Sequence, residues 1–451
     1  MGMDGSEGGV TARAATPAES LGPLGRLDRF LVTLSESGAV TYLVENLAVA
    51  HGRRTRLRHS LARSLDVAGM RRLFEDVADD REIPERFREA LRLLNLALGP
   101  AGASLFADSP FEERPPAGFV LLADYETRPR GQAVVFLFAA GEDRPRAVLK
   151  LRPEPPGQND AEDGPCTTLA REAAALDRLA ALPAPLAATV PRRRGFHRFP
   201  GAAALLTSAL PGRSAYVELH RGLTRGAGAA RHLELAAVWL ARFQRVTRVT
   251  DPWRPPPPED PRFDPVRRDD GSAPDWYRGL LDDLETSPLP ASAGHGDFWA
   301  RNLLVPPEGW VRDRLDRELP GVVDWEGYRT TADPFEDLFH FPWTYAALHP
   351  TGHRWTRRSK DGPARPDTLD AFRRGFLDDT ALARRIRGYL QTYTVGAGLP
   401  WGLLEPLFRL FLLTRAAKEG ETAENETAGK EGSWLRAYRA LETTPRSVFS
   451  G

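Results

Sequence analysis

The hydrophobic period of this chain changes twice, and that order of periods narrows the folds open to it. From about Leu27 to Leu98 apolar residues recur at helical spacing, as in Leu57, Leu61 and Leu65 or Phe87, Leu91 and Leu94, until Gly99-Pro100 supplies a stop. After a Pro-rich connector, Pro110 to Pro116, short β-branched and aromatic runs take over at Gly118 to Ala123, Gln132 to Phe138 and Arg146 to Leu151. A polar loop, Pro153 to Gly164, leads to a helix predicted over Thr168 to Leu182. Two more strand candidates follow, Arg194 to Phe199 and Ala202 to Thr207. Beyond Pro211-Gly212 the period is mainly helical, clearest over Arg231 to Val246. Asp251 to Asp275, rich in Pro and charge, reads as a surface loop, and Asn302 to Val305 with Gly321 to Trp325 reads as a small hairpin. The pattern predicts an α+β architecture: a small sheet of about five strands carrying one helix, then a large helical region.

Composition sets outer limits. The 451 residues are 41% hydrophobic and 27% charged, enough for a substantial core and against disorder throughout. Basic and acidic residues balance at 61 each, so neither nucleic acid nor an anionic membrane is expected as the main partner. No window approaches a membrane span, and no apolar segment follows Met1 as a leader would require. The single cysteine, Cys166, excludes an internal disulfide and a multi-cysteine zinc site. A reducing, cytoplasmic setting is the expectation.

Only four of the basic residues are lysines: Lys150, Lys360, Lys418 and Lys430. Where arginine serves for generic surface charge, an isolated lysine is informative. Lys150 alone lies inside an apolar strand-like run; the other three occupy polar, turn-like segments.

The sharpest chemical signal is His295-Gly296-Asp297-Phe298-Trp299-Ala300-Arg301-Asn302, followed by Val322-Val323-Asp324-Trp325-Glu326. Phosphoryl transfer asks a protein mainly for positioning. It needs oxygen ligands that hold Mg²⁺ against phosphates, and a carboxylate that orients the attacking hydroxyl and takes its proton. An Asp followed five positions later by an Asn offers both on one loop. A second Asp at the end of a neighbouring strand adds a ligand.

These two elements resemble the aminoglycoside phosphotransferase/choline kinase branch of the protein-kinase-like fold. The resemblance covers about Phe119 to Leu338. It implies a bilobal fold with a β-rich N-lobe over 116–210 and a helical C-lobe over 211–451. A helical accessory region over 27–115 and a flexible tail over 1–26 precede them. It assigns Asp297 as catalytic base, Asn302 and Asp324 as Mg²⁺ ligands, and His295 as a loop-organising residue. Lys150 would meet the nucleotide phosphates from the third strand and pair with Glu172, which interrupts the apolar stripe Leu169, Leu176 and Leu179 of its own helix. Ser208, Ala209 and Leu210, ahead of Pro211-Gly212, would form the hinge that meets adenine. The chain departs from protein kinases at the phosphate-covering loop: Asp124 to Gly131 holds one glycine and no G-x-G-x-x-G.

Asp333 or Asp337 is expected to cap the next helix and brace the catalytic loop, with Glu326 near metal or acceptor as the lesser option. His340, His349 and His353 read as structural or exposed, and the aromatic group Phe339, Phe341, Trp343 and Tyr345 as core and pocket wall. The expected activity is a small-molecule kinase using ATP and Mg²⁺ on an acceptor hydroxyl, a sugar or glycan precursor first and an aminoglycoside-like compound second. The alternative is a nucleotide-binding pseudokinase whose N-terminal helices recruit a protein; a third is transfer of AMP onto protein. Those helices are also the candidate surface for a homodimer.

Overall fold

The computed structural model describes residues 93–94, 96–113, 116, 118–123, 132–139, 145–153, 165–220, 227–305, 321–348, 368–423, 432–444 and 447–450. The expected tail and most of the helical accessory region lie outside these residues, as do the Asp124 to Gly131 loop, His349 and His353.

Five antiparallel strands form one sheet: β1 (Gly118–Ala123), β2 (Ala133–Phe138), β3 (Ala147–Pro153), β4 (Arg193–Phe199) and β5 (Ala202–Ser208), in the order β1-β2-β3-β5-β4. Alternation along β3 decides what each face meets. Ala147, Leu149 and Leu151 are fully buried on one face, while Val148, Lys150 and Arg152 point to the other. Lys150 pairs with Leu205 of β5, so both side chains share the face on which α1 (Pro165–Leu179) lies. Leu169, Ala173, Leu176 and Leu179 of α1 complete that layer. A one-residue slip of β3 would exchange Lys150 for Leu149 or Leu151 beneath α1.

A 3₁₀ turn, Pro100–Phe106, packs on the β4 edge. There a Cβ on Gly195 would sit 2.2 Å from the Leu105 carbonyl oxygen, so only glycine fits.

The helical part is built on α2 (Ala227–Val246), α3 (Asp275–Thr286), α4 (Glu336–Leu348), α5 (Ala381–Ala397), α6 (Leu404–Ala423) and α7 (Ser433–Thr443). None of the described helices is long and apolar enough to cross a membrane. Small antiparallel pairings position the loops between them. β7 (Ser292–Gly294) pairs with β10 (Arg329–Ala332), and β8 (Leu303–Val305) lies between β6 (Arg213–Ser214) and β9 (Gly321–Val322). The predicted hairpin is the β8–β9 pair, with Leu303 opposite Val322. Under these loops lies an aromatic floor. Trp239 of α2 stacks on Phe298 at 5.4 Å between centroids, and Trp325 meets His295 at 4.5 Å.

Two sequence expectations change. Asp251 to Asp275 is not simply a surface excursion: Trp253 and Phe263 are buried, Pro261–Val266 forms a 3₁₀ turn, and Asp275 opens α3. Pro274 is buried as well, while most of the charges around the two aromatic anchors are exposed or half-buried. Lys418 lies in α6 rather than in a turn, and it contacts a buried carboxylate.

Candidate active site

β3, α1 and the segment after β9 bring three charged groups together. Lys150 Nζ donates to both carboxylate oxygens of Glu172 at 2.7 Å and to Asp324 Oδ1 at 2.6 Å. Glu172 also accepts the Trp325 amide at 3.3 Å, so the carboxylate that costs most to bury is bonded on several sides. Burial works against the Lys150 charge, but Asp324 and Glu172 more than offset it and hold the ammonium above its ordinary value. The expected Lys150–Glu172 pair is formed, with Asp324 as a third member.

Asp324 has left-handed backbone, φ 71° and ψ 64°, alone among the described non-glycine residues in having positive φ. Asp and Asn adopt this conformation with the least strain among residues that carry a side chain. Its side chain is 33% exposed, and Oδ2 makes no hydrogen bond among the described residues.

The catalytic-loop candidate is held by its own residues and by α4. Asp337, buried at the start of α4, accepts the His295 amide at 2.6 Å and the Gly296 amide at 3.0 Å. Burial raises the Asp337 carboxyl above its ordinary value, against the pull of His295. His295 Nε2 donates to the Val323 carbonyl at 3.0 Å, and its Nδ1 accepts the Asp297 amide at 3.3 Å, which requires the proton on Nε2. His295 therefore ties the Asp297 loop to the residue before Asp324. Of the two acidic candidates for bracing, Asp337 does so, while Asp333 accepts the Trp253 indole at 2.8 Å; neither caps α4 with its side chain.

Asp297 is oriented through both oxygens. Oδ2 accepts Trp299 Nε1 at 3.1 Å and Asn302 Nδ2 at 3.0 Å, and His340 Nε2 lies 3.5 Å from Oδ1. Asn302 Nδ2 also donates to the Asp297 carbonyl at 2.9 Å. Burial would raise the Asp297 carboxyl, but His340 and the hydrogen bond from Asn302 outweigh it and hold the group below its ordinary value. The side chain remains 47% exposed, so an acceptor can reach it. Trp299 and His340 were missed as site residues. Trp299 had a local signal, an indole two positions from the Asp; His340 had none, since only the placement of α4 brings it to Asp297.

At the end of β5 the Ser208 amide donates to the Arg192 carbonyl at 2.8 Å and the Ala209 amide to the Arg146 carbonyl at 3.2 Å. Among the described residues, the Leu210 amide alone of these three makes no backbone hydrogen bond. Glu326, half-buried beside Asp324, has its carboxyl raised by burial and by the Asp324 charge.

The oxygen atoms suit a hard cation. Asn302 spends its amide hydrogens on Asp297, which leaves Oδ1 as a spare acceptor, and Asp324 keeps Oδ2. Among the described residues no three His, Cys, Asp or Glu side chains gather as a self-sufficient metal site. Free carboxamide and carboxylate oxygens, with no thiolate or imidazole beside them, would fit Mg²⁺ better than zinc.

No curated protein sequence matches the chain. The family model described as the phosphotransferase enzyme family matches residues 125–395, more than half of the chain and all of the residues described above from Lys150 to His340. With that match over more than half of its length, and with the buried Lys150–Glu172 pair and the Asp297 loop inside it, the chain belongs to the phosphotransferase enzyme family, that of the aminoglycoside phosphotransferases and choline kinases.

Proposed function

We propose that the chain is a small-molecule kinase of protein-kinase-like fold that transfers the γ-phosphoryl group of ATP to an acceptor hydroxyl. The observation that carries this reading is the continuous path from Lys150 through Asp324 and the Val323 carbonyl to His295 and Asp297. A path of this kind holds a phosphate-binding cation and a base in fixed relation, which is most of what phosphoryl transfer requires.

Asp297 orients the acceptor hydroxyl and accepts its proton as the oxygen–phosphorus bond forms and the bond to the ADP oxygen breaks. Trp299, Asn302 and His340 fix which lone pairs of Asp297 face the acceptor. Lys150 binds phosphate oxygens, and Glu172 keeps its ammonium in place. Asn302 and Asp324 would hold Mg²⁺, which when bound neutralises charge on the transferred group. The Leu210 amide is the donor on offer to the adenine edge.

The test is thermal stability of the full chain with ATP or GTP, with and without Mg²⁺, for wild type and Asp324→Asn. Asparagine is chosen because it tolerates the left-handed backbone that alanine does not. A Mg²⁺-dependent rise in melting temperature, lost in the variant, is expected. No rise with any nucleotide would favour a non-catalytic scaffold. A mass spectrum of the product separates phosphorylation from AMP transfer.

A further inference from the structure

One of the two donors to the candidate base is held from outside its own loop. Asp297 Oδ2 accepts Asn302 Nδ2 and Trp299 Nε1. Asn302 is buried and donates to the Asp297 carbonyl as well, so its side chain is fixed at two points. Trp299 is only half-buried, and its one N–H is committed to Asp297. An indole pivots about two side-chain torsions, so the direction of that charge-assisted bond depends on what holds the ring.

Arg301 and Tyr216 hold it. The guanidinium carbon of Arg301 lies 4.9 Å from the Trp299 ring centroid and 5.0 Å from that of Tyr216, within cation–π range of both. The two rings meet edge to face at 6.2 Å. Backbone bonds repeat the connection. The Tyr216 amide donates to the Ala300 carbonyl at 2.9 Å, and the Ser214 hydroxyl donates to the carbonyls of Ala300 and Arg301 at 3.3 and 3.0 Å. Ser214 ends β6, and Tyr216 lies in the short helix Ala215–His220, a few residues beyond Leu210. The segment that leaves the candidate hinge is thus clamped to Trp299, Ala300 and Arg301 of the Asp297 loop.

Resting on the kinase reading above, we infer that Arg301 and Tyr216 are positioning residues for Asp297, which they reach through the Trp299 indole. Neither has to touch nucleotide or acceptor for this. The guanidinium stacked on both rings sets the tilt of the indole, and the indole N–H fixes Oδ2. Oδ1, on the His340 side, is left to face the acceptor hydroxyl. A small misplacement of a catalytic group is felt strongly in the rate, so the stack acts on turnover and not on nucleotide binding. Lysine would keep the charge but not the flat guanidinium face that lies against both rings. A stack that served packing alone would change stability and leave the Trp299–Asp297 bond as it is.

The test is an NMR spectrum of the indole N–H groups of the full chain, with the Trp299 signal identified as the one missing from Trp299→Phe. Asp297→Asn shows where that signal moves when the carboxylate acceptor is lost. Arg301→Gln and Tyr216→Leu are expected to move it the same way, Arg301→Lys to move it less, and Tyr216→Phe to leave it in place. A Trp299 signal unmoved in both Arg301→Gln and Tyr216→Leu would overturn the inference. A second arm follows ADP release from Mg·ATP with water as the acceptor. There kcat should fall about three- to tenfold in Arg301→Gln, the loss of one cation–π contact, while KM for Mg·ATP holds. An unchanged kcat, or a change confined to KM, would overturn the inference as well. Should Arg301→Gln fail to fold, Tyr216→Leu carries both comparisons; should water prove too poor an acceptor for turnover, the indole arm decides. Mg·ADP calorimetry on the wild type is read separately: an Arg301-dependent Trp299 signal in a chain that ignores Mg·ADP would sink the kinase reading and leave the clamp on Asp297 standing.

Discussion

Two ion clusters lie on either side of the Asp297 loop, each built around one buried charge of opposite sign. Around Lys150 two carboxylates, Glu172 and Asp324, answer one ammonium; around Glu336 three cations answer one carboxylate. The carboxylate oxygen at Lys150 would suit a divalent cation, whereas at Glu336 the cations keep one buried carboxylate ionised.

The largest effect should come from the group between the clusters. Asp297→Asn is expected to lower kcat by about 10²–10⁴-fold while Mg·ADP binding persists, measured as ADP release against calorimetry. An unchanged kcat would remove Asp297 as the base. Next, Lys150→Met leaves Glu172 buried without its cation and should cost about 3–5 kcal/mol in urea unfolding; adding Glu172→Gln should return part of that loss. If the double variant is no more stable than the single one, the lysine cluster is not a coupled pair.

Asp337→Asn should be milder. It keeps one acceptor for two amides and is expected to cost about 1–3 kcal/mol, with a fall in kcat as the His295–Asp297 loop loosens. The smallest effect is in acid. Burial would raise the Glu336 carboxyl, but Lys418, Arg329 and Arg415 outweigh it and hold the group below its ordinary value. A carboxyl depressed in the folded state contributes stability that is fully present above its unfolded value, about 4.3, and is lost as pH falls through the folded value. Unfolding free energy measured against pH should therefore lose a step in Glu336→Gln relative to wild type. Parallel curves would mean the cations do not act on Glu336 as described.

Much of the Lys150 end was legible in sequence because its signals are local. A lysine in an apolar strand, a glutamate that interrupts an apolar helix stripe, and an Asp–Asn spacing of five are all read within one element. The Glu336 end was not, since Lys418 approaches from α6, Arg329 from β10 and His340 from the next turn of α4. No periodicity records which turn of one helix meets which turn of another. The strands and the β8–β9 hairpin followed from alternation, whereas Trp253 and Phe263 were hidden by the prolines and charges around them. The hinge shows the same limit: which amides of Ser208, Ala209 and Leu210 remain available depends on carbonyls of Arg146 and Arg192, contributed by other parts of the chain.

The glycine at the centre of His295-Gly296-Asp297 has φ +81°, and a Cβ there would lie 2.2 Å from the Gly327 carbonyl oxygen. Gly327 in turn backs onto the His295 carbonyl, 3.0 Å from where its own Cβ would be. The backbones that carry Asp297 and Asp324 are thus in direct contact, with no side chain between them to act as a bearing. The two segments must travel as one piece. Switching this protein off by swinging the Asp324 segment away from a stationary Asp297 loop would first require parting two backbones and the His295–Val323 bond. Control imposed from outside, by occluding the cleft or withholding the acceptor, asks for no such rearrangement, and it is the kind of regulation this geometry leaves easiest.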